Sequence, residues 1–336
     1  MKPVRFQSWA EAGVIQVPIS MAPPLKKVNS YMLRGSEGIT VIDPGPRTEE
    51  TEKEWKEVWR ELRIQPADIT SIVITHHHPD HFGLAGYLQS LTQARVYMSE
   101  RAYEEAERMW GSGSVVNEAL PALFQRHGMP ADWLNQLPQH MRGFISQVKP
   151  FPEITPVTED SSILMGGRRW EPIISGGHAP GHMSFYERSK KIMICGDAVL
   201  PQISPNISLV PDSESDPLQS FIEGLRRLGR YDVNTAFPGH RSPFDYFNER
   251  VRLLTQHHEQ RLQRMEQLLQ EEPLTGFQIC STVFGTKLGI HQMRFAMSET
   301  LAHLLELVRQ GRAAMEEKDT GGEIRFRALQ QSYKIL

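Results

Sequence analysis

Cysteine is nearly missing from this chain: 336 residues carry only Cys195 and Cys280. Neither sits in a CxxC or zinc-ribbon spacing, which argues against a disulfide framework and fits a reducing compartment. Long apolar runs are missing too; no stretch approaches the roughly 20 residues of a membrane span. The opening "MKPVRFQSWAEAGVIQVPIS" lacks the apolar core of a secretory signal, so a cytoplasmic protein is expected. There is no internal repeat and no low-complexity segment. There is also no strong excess of charge: 37 Lys and Arg face 40 Asp and Glu, for a net charge of −3. That balance argues against a dedicated nucleic-acid surface. What remains, 39% hydrophobic and 23% charged residues, is the composition of an ordinary globular protein. Its length suits one large domain with an appendage.

The first 45 residues read as strands: "VIQVPI" (14–19), "NSYML" (29–33) and "ITVIDPG" (39–45), with Pro, Gly and charged turns between them. A helix follows, with Trp55, Val58, Trp59 and Leu62 on one face. "SIVIT" (71–75) is a short apolar run suited to a buried strand, and "RVYMS" (95–99) is another. Residues of about 100–150 read as an insert of short helices, broken by "GSG" and by Pro121, Pro130 and Pro138. Its Met109, Trp110, Met129, Trp133, Met141 and Phe144 suit packing onto the main body. They also suit a lid over a pocket, since methionine-rich surfaces adapt to varied apolar ligands.

Strands return from "WEPIISGGHAPGHMSFY" to "IMICGDAVL". Asp216 and Pro217 then open a helix as N-cap and first residue, with Leu218, Phe221, Ile222, Leu225 and Leu228 inward and Gly229 as the stop. A last strand near "NTAFPGH" ends at His240. Beyond about residue 245 two amphipathic helices precede a hairpin around Thr320-Gly321-Gly322, the outline of a small helical, winged-helix-like domain over 246–336. Its charges nearly cancel, which favours a structural or dimerising role over DNA binding.

The chemistry concentrates in "THHHPDHFG", residues 75–83. His76 and His78 are two apart, so on an extended segment they point the same way. Asp80 and His81 lie where the chain turns into a helix and can face a second direction. His77 falls between and should point away. Histidine and aspartate ligands suit Zn²⁺ first, and Fe or Mn also accept them. Four residues cannot complete two coordination spheres. His182 in "APGHMS", Asp197 in "ICGDAVL" and His240 in "FPGH" each stand at a strand end and can complete them.

These motifs, with the early "VIDPG" ending the strand at Asp43, resemble the metallo-β-lactamase superfamily over roughly residues 12–245. The resemblance implies an α/β fold, an αββα sandwich within a 1–245 catalytic domain. It implies two divalent metal ions: one on His76, His78 and His182, one on Asp80, His81 and His240, with Asp197 bridging and Asp43 supporting a ligand. It gives His178 a supporting or structural role. It further implies a hydrolase whose nucleophile is a metal-bridging hydroxide, with Asp80 and Asp197 as the catalytic carboxylates, Asp80 orienting it. The apolar insert, the mild negative charge and the lack of a phosphate-binding run make an ester, thioester or lactone the expected target. The acidic Asp197 is similar to the glyoxalase II and RNase Z type of site. The C-terminal segment is similar to the appendage of a subgroup that includes endoribonucleases. A phosphodiesterase is therefore the first alternative, and a metal-binding scaffold with a partner-binding C-terminal domain the second. A small-molecule substrate is the expected partner. Nucleic acid is not favoured, no membrane is expected, and a homodimer is compatible with the sequence.

Overall fold

The structure is a computed structural model and describes residues 6–318 and 322–329. In chain order the elements are β1 (Gln7–Trp9), β2 (Val14–Ser20), β3 (Lys27–Gly35), β4 (Gly38–Ile42), α1 (Glu49–Leu62), β5 (Ile69–Val73), α2 (Pro79–Phe82), α3 (Ala85–Thr92) and β6 (Arg95–Met98). The insert supplies α4 (Glu100–Trp110), α5 (Val116–Arg126), α6 (Ala131–Leu134) and α7 (Leu137–Ile145). Then come β7 (Ile154–Pro156), β8 (Ile163–Met165), β9 (Arg168–Ser175), β10 (His182–Glu187), β11 (Ile192–Gly196), α8 (Pro217–Leu228) and β12 (Thr235–Pro238). The C-terminal segment is α9 (Phe247–Leu269), β13 (Leu274–Thr275), α10 (Gly276–Phe284), α11 (Ile290–Arg309), β14 (Ala313–Glu317) and β15 (Ile324–Ala328).

Strands β1 to β7 form one sheet in sequence order, antiparallel as far as β4 and parallel from β4 to β7. A second sheet runs β12-β11-β10-β9-β8 and is antiparallel apart from the β11–β12 pair. Alternation along each strand sends one set of side chains between the sheets and the other under the helices. Tyr31, Leu33, Val73, Trp170, Phe185, Ile194 and Phe237 fill the inner layer. Met32, Val41, Ile72 and Met193 turn outward to helical residues such as Trp55, Val58, Leu88 and Phe221. This is the expected αββα sandwich.

The expected elements are present with shifted ends. Three-residue strands β1, β7 and β8 are too short to show a period, and α10 is an element the apolar pattern does not announce. Its Thr275–Gln278 capping box is the usable signal there. Pro121 does not break the insert: it lies inside α5, where Val116, Leu120 and Phe124 bury one continuous face. That burial outweighs the one backbone bond a proline forfeits. Asp216 does cap α8 by position, but its side chain makes no cap bond. In the insert, Met109, Trp110, Met129 and Met141 are buried. The C-terminal hairpin pairs β14 with β15 antiparallel; Thr320 and Gly321 of its turn lie outside the described residues. Among the described residues, no helix is long and apolar enough to cross a membrane.

The C-terminal helices share one continuous apolar cluster with the sandwich, running from Phe221 and Leu225 to Leu262, Met297 and Phe326. Two histidines are sealed between α9 and α11. His303 Nδ1 lies 2.8 Å from the Glu299 carbonyl, which can only accept, so that nitrogen carries the proton. His303 Nε2 must then accept from His258 Nδ1 at 3.1 Å. His258 Nε2 is left as a bare, buried lone pair. Burial pushes His258 down to about 2 and His303 down to about 3, and the nearby Arg261 lowers both further. Both rings are neutral in the folded chain and protonate near pH 6.5 once unfolded.

The unfolded state therefore binds more protons below that pH. The stability these rings allow is intact above about pH 6.5 and falls as pH drops toward their folded values. We expect urea unfolding free energy to decline between pH 6.5 and 4 by up to about 1.4 kcal/mol per ring per pH unit. The His258→Phe/His303→Leu double variant should flatten that slope. An unchanged slope would mean that the acid sensitivity lies elsewhere.

Candidate metal centre

The site forms where the two sheets expose the ends of β4, β5, β11 and β12 on one edge. Asp43 follows β4 in a left-handed backbone conformation (φ 50°). Its Oδ1 accepts the Thr75 backbone N–H at 2.8 Å. Its Oδ2 accepts the Thr75 hydroxyl at 2.7 Å and His81 Nδ1 at 2.9 Å. One buried carboxylate thus ties down both ends of the histidine loop. Because its Nδ1–H donates to Asp43, His81 turns Nε2 into the site. That atom is buried and unpartnered. The Thr75 hydroxyl proton is spent on Asp43, so its oxygen accepts from His76 Nδ1 at 2.9 Å. His76 Nε2 is bare as a result, and it stands 3.1 Å from His78 Nδ1. His78 caps α2, with Pro79 as its first residue, and that turn swings Asp80 and His81 toward the opposite side.

The later histidines are grouped differently from the sequence-based assignment. His178, not His182, joins His76 and His78 in a group able to hold one ion. His178 Nδ1 donates to the Asn206 carbonyl at 2.8 Å, so Nε2 is the bare nitrogen. That Nε2 is buried without a partner and lies 3.6 Å from Asp197 Oδ2. His182 instead accepts the Asp197 backbone N–H on Nε2 at 3.1 Å and so holds the backbone of its neighbour. The two histidines are set apart by the "GGHAPGH" turn, in which Gly177 and Gly181 are both left-handed (φ +84° and +72°). A side chain at Gly177 would strike Phe221 Cβ at 2.4 Å.

The second group is Asp80, His81 and His240, the trio assigned to the second ion from the sequence. His240 Nδ1 donates to the Lys27 carbonyl at 2.9 Å, and Nε2 lies 3.3 Å from both Asp80 Oδ2 and Asp197 Oδ2. Tyr31 and Asn29 on β3 hold the Pro238 carbonyl at 2.6 and 2.9 Å and so fix the "PGH" turn. Any side chain at Gly239 would collide with Asp197 Oδ1 at 2.1 Å. Asp197 sits between the groups; its Oδ1 is buried and unpartnered, 3.6 Å from His81 Nε2. His77 belongs to no such group among the described residues.

The electrostatics divide the site. Burial opposes charge throughout, yet His240 and His81 outweigh it and hold the Asp197 carboxyl well below its usual range. Burial likewise works against protonation of His240, but Asp197 and Asp80 raise it to about 10. His76 and His78 are driven well below the usual imidazole value, first by burial and then by the surrounding rings. One half of the site thus borrows protons to balance its carboxylates, and the other half is bare imidazole. Inward-facing ring nitrogens, an unpartnered carboxylate oxygen and outer bonds that orient four of the rings are what a divalent cation requires. The donor set fits one. His78, Asp80 and His178 are only partly buried, which marks the mouth of the site.

Asn206 is a part of the site that the sequence does not signal, because nothing in its neighbourhood carries chemistry. Its side-chain amide donates to Glu299 Oε2 at 2.8 Å and to the Phe295 carbonyl at 3.3 Å. Glu299 is in turn paired with Arg261. Helix α11 therefore reaches to within one residue of His178, and α9 is tied to it through Arg261. A further grouping of His257, His258 and Glu299 has its carboxylate already engaged by Arg261 and Asn206.

The profile described as "Metallo-beta-lactamase superfamily" matches residues 23–240, and "Metallo-beta-lactamase-like, C-terminal domain" matches 262–329. The chain is 27% identical over 299 residues to the Bacillus subtilis protein named "Probable metallo-hydrolase YqjP", covering 86% of this chain and 90% of that one. It is 25% identical over 169 residues to "Hydroxyacylglutathione hydrolase GloC" of Haemophilus influenzae, covering 47% of this chain and 60% of that one. A metallo-beta-lactamase family protein of Thermus thermophilus superposes with a TM-score of 0.82 at 29% identity, over 95% of this chain and 99% of that one. A beta-lactamase domain protein of Burkholderia ambifaria gives 0.86 at 27%, over 98% and 95%. The matched residues, the sandwich and the edge of histidines and aspartates agree: the chain belongs to the metallo-β-lactamase superfamily.

Proposed function

We propose that the chain is a dinuclear metal-dependent hydrolase of esters, thioesters or lactones. The observation that carries it is the pair of convergent groups on either side of Asp197. His76, His78 and His178 would hold one metal, and Asp80, His81 and His240 the other, with Zn²⁺ as the first choice and Fe or Mn accepted. Ions so held supply a water deprotonated near neutral pH and a Lewis acid for the substrate carbonyl. The chain's own part is to keep the rings of His81, His76, His178 and His240 in one orientation each, through Asp43, Thr75, Asn206 and Lys27. Asp80 and Asp197 offer carboxylate oxygens that can orient the attacking water. The half-open side at His78, Asp80 and His178 is where substrate enters.

Two observations favour acyl over phosphodiester substrates. The basic residues best spaced for a phosphate backbone are engaged elsewhere: Arg168 with Glu187 and the Ala12 carbonyl, Arg169 with Ser162, Lys190 with the Glu11 carbonyl and Lys191 with Asp232. One relative bears the name of an acylglutathione hydrolase, and an acylglutathione is a thioester.

Elemental analysis should find two metals per chain in the wild type and fewer in Asp197→Ala and His78→Ala. Both variants should lose turnover on a thioester and lactone panel by about 100-fold or more. Wild-type activity in either would sink the reading, and faster turnover of a phosphodiester would move it to the nuclease branch.

The exchanged histidines give a sharper test. His178→Ala should lose roughly one metal equivalent, whereas His182→Gln should keep both and lose about 10-fold to 100-fold in activity through a misplaced Asp197. The reverse pattern would restore His182 as the ligand.

A further inference from the structure

Arg294 lies on the first turns of α11, between Met293 and Phe295, and is only 9% exposed. Its Nε is buried without a hydrogen-bond partner. No carboxylate among the described residues answers its charge, and burial alone pulls it down to about 10. The guanidinium is held between two rings, 4.1 Å from the centre of Phe295 and 5.8 Å from that of Phe144 on α7. His140 and His291 stand beside it, with ring centres 5.4 Å apart, and His140 Nε2 is also buried and unpartnered. An uncompensated buried guanidinium is costly, so a fold that keeps one has a use for it.

The place of this group gives the use. Phe144 packs on Trp110 at 5.8 Å, and Trp110 Nε1 donates to the His77 carbonyl at 3.2 Å, inside the histidine loop. On the other side, the Phe295 carbonyl accepts from Asn206, which orients His178. His291 is near enough to Asp80 to feel its charge. The insert and the C-terminal segment thus meet beside the mouth at His78, Asp80 and His178, and Arg294 is sealed in an aromatic frame at that junction, two contacts from the histidine loop on one side and from His178 on the other. His140 and His291, each lowered to about 4 chiefly by burial, add hydrogen-bonding groups but no charge at neutral pH.

We infer that Arg294 is the anchor for an anionic group of the substrate, and that this group is a carboxylate carried on an otherwise apolar acyl compound. One guanidinium with two neutral imidazoles matches a single negative charge in a planar, two-oxygen acceptor. A phosphate monoester would leave charge unbalanced in the same frame. The aromatic rings suit an apolar stem between the carboxylate and the scissile bond. The inference rests on the hydrolase reading only for the word substrate; the binding itself does not depend on turnover.

The test uses metal-loaded full-length protein and three probes that cannot be hydrolysed as esters: 3-phenylpropionate, its neutral amide, and phenylphosphonate. Calorimetry should show the carboxylate binding wild type at least about tenfold more tightly than the amide. The ratio should fall to about one in Arg294→Met and recover in part in Arg294→Lys, with metal content unchanged in both. The thermal midpoint of Arg294→Met should equal or exceed that of wild type, because a buried unpaired charge has been removed. A preference that survives in Arg294→Met belongs to the metals and overturns the proposal, as does the absence of any preference in wild type. An Arg294→Met variant that melts earlier while keeping the ratio marks the residue as packing between two rings. Phenylphosphonate binding as tightly as the carboxylate, and losing that affinity in Arg294→Met, overturns the carboxylate assignment. Failure of the hydrolase reading looks different: no ester or thioester is turned over, yet the Arg294-dependent ratio remains.

Discussion

Asp43 is the carboxylate on which the rest of the site depends. It accepts three hydrogen bonds across 38 residues of sequence, two from Thr75 and one from His81. Through them it sets the path of the loop, the tautomer of His81 and, by way of the Thr75 hydroxyl, the tautomer of His76. Hydrogen bonds to an ionised acceptor are stronger than neutral ones, and a buried carboxylate cannot exchange them for water. A single left-handed residue at the end of β4 therefore decides which nitrogens face inward on two different rings.

The same device recurs with weaker acceptors. His178 and His240 are each fixed by a backbone carbonyl, of Asn206 and Lys27. Carbonyls accept without titrating, so these two rings keep their orientation regardless of local charge. The site is consequently assembled from outside inward: the sheets place the carbonyls and Asp43, those place the ring protons, and the ring protons leave the lone pairs in the middle.

How much of this is legible in the sequence varies with distance along the chain. The loop at 75–83 is readable because its ligand spacing is set by a strand end and one helical turn. Strand ends at Asp197 and His240 are readable from apolar runs stopped by Gly. The bonding partners of His178 and His182 are not. Both follow glycine turns four residues apart, and what separates them is a carbonyl 28 residues later at Asn206. Arg294 is equally hidden: on a helix of mixed pattern it reads as a surface residue, and only the packing of α7 against α11 covers it. Pro121 shows the opposite case, a strong local signal overruled by a well-buried helical face.

The bond from His178 to the loop at Asn206 has a consequence for how such a chain can change over generations. That loop is fastened to α11 through Phe295 and Glu299. An exchange that replaced the C-terminal segment with another of similar shape would unfasten the acceptor that aims a ring in the sandwich. The Asn206 amide thus adds a polar tie to the apolar cluster that the two halves share, and a replacement segment would have to supply both.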